Sequence, residues 1–77
     1  MRKALNGQTT GTVLWWSDRD QNGIVVDSEG NEHYFDKSTW KGRIAPMRKQ
    51  LLKFTPDRLN CGTLVAKDVT DLLGGRA

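Results

Sequence analysis

Apolar, β-branched and aromatic positions fall along this chain in five short runs, each bounded by turn-forming residues. Thr9 to Ser17 is the first, where Thr9, Thr10, Thr12, Val13, Trp15 and Trp16 favour an extended backbone. Asp18 to Gly23 reads as a turn, with Asn22-Gly23 supplying a positive φ. Ile24 to Val26 is the second strand, and Asp27 to Asn31 the turn behind it. Glu32 to Asp36 alternates, with His33 and Phe35 on one face and Tyr34 and Asp36 on the other. A long connection follows, Lys37 to Lys49, holding Gly42 and Pro46. Gln50 to Thr55 is the fourth strand, with Leu52 and Phe54 on a shared face and Pro56-Asp57 ending it. Met47 to Phe54 also fits a short helix started by Pro46, but the strand is preferred. After a turn at Arg58 to Gly62, Thr63 to Val69 is the fifth strand.

Three strands in quick succession, a long link and two more strands match a five-stranded Greek-key barrel. Closure of such a barrel removes exposed sheet edges. The barrel spans residues 9–70, with residues 1–8 a flexible arm and 71–77 a flexible tail. With 77 residues there is room for one domain and a compact core. Gly11 and Gly23 are candidate strand-bend positions, and Trp16 should join Val13 in the core after a local twist.

Composition narrows the function classes. Charged residues are 27% of the chain and hydrophobic ones 36%, a globular balance without an apolar run long enough for a membrane span. The basic N-terminus has no apolar segment behind it, so it does not read as a secretory signal. One cysteine, Cys61, and one histidine, His33, exclude an internal disulfide and leave too few ligands for a metal site. A reducing, cytoplasmic setting is expected, with no cofactor. No Ser-His-Asp arrangement or phosphate-cradling glycine loop is present, and the Asp18/Asp20 pair lies in a polar turn. The chain is therefore not expected to be an enzyme.

Charge is segregated. Asp18, Asp20, Asp27, Glu29, Glu32 and Asp36 face only Arg19 in the segment from Ser17 to Asp36. Lys41, Arg43, Arg48, Lys49 and Lys53 follow with no intervening acid. The net charge is +3. Solvated loops would account for this, and so would a basic loop that meets phosphates.

Thr10-Gly11-Thr12-Val13-Leu14-Trp15-Trp16-Ser17 resembles the opening strand of cold-shock domains, Gly-x-Val-Lys-Trp-Phe-Asn. Asp20 to Val25 aligns with their Lys-Gly-Phe-Gly-Phe-Ile, keeping Gly23 and the apolar end. Glu32-His33-Tyr34-Phe35-Asp36 is similar to Asp-Val-Phe-Val-His, and Ser38 matches the serine after it. Lys49 to Phe54 is similar to Gly-Gln-x-Val-x-Phe, and Ala66 to Val69 to Ala-x-Asn-Val. The resemblance runs from Thr10 to Thr70 and implies an all-β, five-stranded OB-fold barrel that binds single-stranded RNA or DNA. The departures are specific. Asn22 and Ile24 replace two phenylalanines, Asp36 a histidine, Lys37 an aromatic and Asp20 a lysine. Each lost stacking aromatic implies about 1–3 kcal/mol less per base, and each acid repels phosphate.

Trp15 and Tyr34 are the aromatics kept at stacking positions, and they are the candidate platform. Trp40, beside Lys41, Gly42 and Arg43, suits either a flexible nucleic-acid contact or a ring folded over the barrel's end. Lys37, Lys41, Arg43, Arg48, Lys49, Lys53 and Arg58 are the candidate phosphate partners. His33 reads as a packed strand residue, Asp36 as a turn or capping residue, and Cys61 as a turn bystander. The expected partner is single-stranded RNA or DNA, bound with slight sequence preference by a monomer or weak dimer. The alternative is an OB barrel whose former stacking face meets a protein, with no membrane role in either case.

Overall fold

The computed structural model describes residues 7–72. Five strands form one sheet that closes on itself: β1 (Thr9–Ser17), β2 (Asn22–Asp27), β3 (Glu32–Asp36), β4 (Leu51–Arg58) and β5 (Leu64–Asp71). Their order around the wall is β1-β2-β3-β5-β4, with β1 pairing β4 to shut the barrel. This is an OB-fold-like barrel. The described residues contain no helix, so the segment from Met47 to Phe54 is not helical.

Alternation places Val13, Val25, Phe35, Leu52, Phe54, Ala66 and Val69 inside. β1 breaks that alternation once. Its register against β2 shifts between Val13 and Trp15, so Leu14 is an extra residue in the ladder. Leu14 and Trp15 then both face solvent, while Trp16 turns inward onto Phe35, centroids 5.3 Å apart. Gly23 sits opposite Trp16, where a Cβ would strike the Trp15 carbonyl oxygen and crowd the Trp16 ring.

Several boundaries differ from the sequence-based expectation. Asn22-Gly23 lies within β2, and the left-handed turn residue is Gln21 (φ 57°), whose N–H donates to Ser17 O at 2.7 Å. β4 does not stop at Pro56 but continues to Arg58. β1 pairs β4 only from Leu51 to Phe54, so Pro56 has β5 alone as a paired neighbour, an edge position where proline is tolerated. β5 runs on through Asp71, and the Leu72 N–H donates to Leu51 O. Asp71 and Leu72 of the expected tail thus belong to the barrel wall, and residues 1–6 and 73–77 of the expected arm and tail lie outside the described residues.

The parallel seam between β3 and β5 is short, with Tyr34 opposite Val65. The start of the long connection extends it. Val69 N–H donates to Thr39 O at 2.9 Å, and Lys41 N–H to Val69 O at 2.8 Å. The other end of the connection is tied to β1, where Lys49 N–H donates to Val13 O and Val13 N–H to Gln50 O. Lys49 takes a positive φ of 71° to make this junction.

At the opposite end of β2, Asp27 organises the hairpin. Its Oδ1 accepts from the Glu29 and Asn31 amides, and its Oδ2 lies 2.9 Å from Nε2 of the buried His33. The His33 ring packs on Phe54 at 4.9 Å. Bonding to the ring, helped by the two turn amides, holds the Asp27 carboxyl down at about 2.

Candidate nucleic-acid interface

The outer face of β1, β2 and β3 carries the candidate site. Cross-strand pairing sets Trp15 opposite Ile24 and Ile24 opposite Tyr34, so the three side chains form one row across three strands. Trp15 is 43% exposed and Tyr34 36%, against 2% or less for the core rings Phe35 and Phe54. Leu14, also exposed, adjoins Trp15 through the bulge. Asn22 Nδ2 lies 3.4 Å from the Tyr34 hydroxyl. The row is thus flat, apolar and held by the sheet.

Its two sides differ electrically. On the β1 side, backbone bonds tie Lys49 and Gln50 to Val13, so the segment carrying the basic residues Arg48 and Lys49 runs along this edge of β1. On the β3 side stand Glu32, one row away opposite Val26, and Asp36, opposite Asn22. Asp36 is a turn residue, accepting from the Ser38 amide at 3.0 Å. A polyanion lying on this face is drawn toward β1 and repelled from β3.

The other candidate residues disperse. Lys53 projects from β4 opposite Thr10, near the start of β1. Lys37 follows β3, its N–H donating to Gln21 O, close to the acidic β1–β2 turn. Arg58 is at the β4–β5 hairpin, where its guanidinium donates to Gly62 O at 3.0 Å. Trp40 takes the folded-over arrangement. Its ring meets Phe35 edge-on at 6.4 Å, its Nε1 donates to Ile44 O at 3.1 Å, and Gly42 lies against it. Lys41 and Arg43 stay with Trp40 and line a groove in the connection, away from the Trp15 row.

Sequence reasoning passed over Leu14 and Ile24. Alternation from the inward Val13 already puts Leu14 outside; the bulge then keeps Trp15 outside and turns Trp16 in. Alternation with the buried Gly23 and Val25 likewise puts Ile24 outside. A small pocket of about 160 Å³ beside Tyr34, lined partly by Ser38, Thr39 and Lys67, was also missed. Lys67 there is paired with Asp57 at 2.9 Å, which pushes the lysine pKa up and the Asp57 pKa down.

No protein-family model and no curated protein matches this chain. The wall of the barrel is therefore the ground on which function is argued. Among the described residues, no group of three or more His, Cys, Asp or Glu side chains is placed to hold a metal ion.

Proposed function

We propose that this protein binds single-stranded nucleic acid, with little sequence preference, on the outer face of β1, β2 and β3. One observation carries the reading: Trp15 and Tyr34 stand exposed in a single cross-strand row, on a wall whose β1 edge is bonded to the segment that carries Arg48 and Lys49. An exposed ring accepts any base on its π face, and lysine or arginine alongside takes the phosphate. Ile24 between the rings offers apolar contact but no stacking, so two bases rather than three stack on the strip. The strand's backbone runs on the β1 side, away from Glu32 and Asp36.

Titration with oligo-dT and oligo-U, followed by tryptophan fluorescence at two salt concentrations, tests this. Quenching is expected, with affinity falling as salt rises by a log–log slope of about −0.7 per phosphate engaged. Absence of quenching with tens of micromolar protein (a range of about 10–100 µM, the weak end of non-specific binding) removes the reading.

The carboxylates on the β3 side favour a second reading, in which this face receives a basic protein surface. Pull-down from lysate with and without nuclease separates the two. Partners that vanish on nuclease treatment support the first, and partners that persist support the second.

A further inference from the structure

The long connection between β3 and β4 builds a second surface. It encloses a groove of about 670 Å³, within the range of sites that take ligands or anchoring side chains. The groove is braced rather than loose. Thr39 and Lys41 are bonded to Val69, Trp40 Nε1 to Ile44 O, Met47 N–H to Gln50 Oε1, and Lys49 to Val13. A preformed site loses little ordering entropy on binding.

Its surface is aliphatic. Met47 is 69% exposed, Ile44 62% and Leu51 45%, and all three line the groove. Gathered in one concave groove, these side chains offer a partner apolar contact. Bases are held on open π faces, whereas Trp40 in the groove's lining is half-buried, with Phe35 edge-on to it and Gly42 against its six-membered ring. Methionine, isoleucine and leucine instead suit apolar side chains of a peptide. The rim selects the sign of the partner. Lys41, Arg43, Arg48 and Lys49 line the groove against one acid, Asp71. Lys41 lies 4.0 Å from Asp68, whereas among the described residues Arg43, Arg48 and Lys49 have no carboxylate within ion-pair distance.

We propose that this groove docks an acidic, amphipathic segment of a partner protein. Its apolar side chains rest on Ile44, Met47 and Leu51, and its carboxylates meet Arg43, Arg48 and Lys49. The site is distinct from the Trp15 row, although Arg48 and Lys49 adjoin both.

The test is an amide shift map of the full ¹⁵N-labelled chain. The probes are a synthetic peptide of about twelve residues mixing leucine with aspartate and glutamate, its lysine-substituted counterpart, and oligo-dT. The acidic peptide should shift residues 40–51 and leave Trp15 and Tyr34 unmoved, and the lysine peptide should shift neither. Met47→Glu and Arg43→Glu, both at exposed positions, should each weaken the acidic peptide about tenfold or more. Trp15→Ala should not change it. Three results overturn the proposal: no shift in 40–51 at millimolar acidic peptide (about 1 mM, the weakest association of interest), equal shifts with the lysine peptide, or shifts of Ile44 and Met47 with oligo-dT as large as those with the acidic peptide. Shifts in 40–51 that depend on protein concentration alone assign the groove to a second copy and overturn it too. Failure of the nucleic-acid reading would appear separately, as an unmoved Trp15 with oligo-dT.

Discussion

Two exposed apolar surfaces, the Trp15–Ile24–Tyr34 row and the Ile44–Met47–Leu51 groove, share Arg48-Lys49 as a border but are built differently. The row lies on the sheet, where pairing lines up the three side chains and both rings stay exposed. The groove lies in a connection, where Trp40 packs on the core and the exposed apolar side chains are the aliphatic Ile44, Met47 and Leu51. Similar ingredients, apolar side chains next to cations, thus yield a flat platform in one place and a cleft in the other. Planarity suits bases, and depth with adaptable side chains suits a peptide.

The sharpest way to break this comparison uses adjacent tryptophans. Trp16→Ala removes the inward ring packed on Phe35 and should lower unfolding free energy by about 3 kcal/mol, read by denaturant unfolding. Trp15→Ala should cost little stability but weaken oligo-dT by about 1–3 kcal/mol, roughly five- to 150-fold, read by fluorescence titration. Equal stability losses would show that Trp15 is structural rather than a platform. Trp16→Phe should be far milder than Trp16→Ala, because the Trp16 Nε1 is buried without a partner and phenylalanine removes that group.

Asp27 separates stability from both surfaces. Asp27→Ala should destabilise by about 1–3 kcal/mol, since a buried His33 nitrogen and two turn amides lose their acceptor, while oligo-dT affinity of the folded protein stays unchanged. The carboxyl titrates at about 2 in the folded state, below its ordinary value of 3.8. Its stabilisation is therefore complete above the ordinary value and is lost as pH falls through about 2. Thermal unfolding across the acid range should show a decline in this window, flattened in Asp27→Asn.

The smallest effect concerns the groove. Met47→Glu should shift stability by less than about 0.5 kcal/mol, because the side chain is mostly solvated. A larger loss in thermal unfolding would mean that Met47 supports the connection instead of lining an open cleft.

Strand content was legible where alternation is clean. β1 and β3 have the bounds that the run of β-branched and aromatic residues implies, and Phe35, Leu52 and Phe54 are inside. Legibility failed where neighbours decide. Asn22-Gly23 has turn chemistry, yet Gly23 is needed opposite Trp16, which pulls the pair into β2 and passes the positive φ to Gln21. Pro56 reads as a stop, but β4 has already left β1 there.

Residue periodicity by itself determined that this chain is a set of short strands, with which side of each is greasy, and composition placed its cations after its acids. Tertiary structure alone decided which of those cations gather. A barrel wall joins residues far apart in sequence through backbone pairing, so Lys49 lands beside Val13 while Lys37 and Arg58 are carried elsewhere. It also decided the fate of each tryptophan, because a bulge, a glycine opposite and a core ring within reach are properties of neighbours, not of the residue itself.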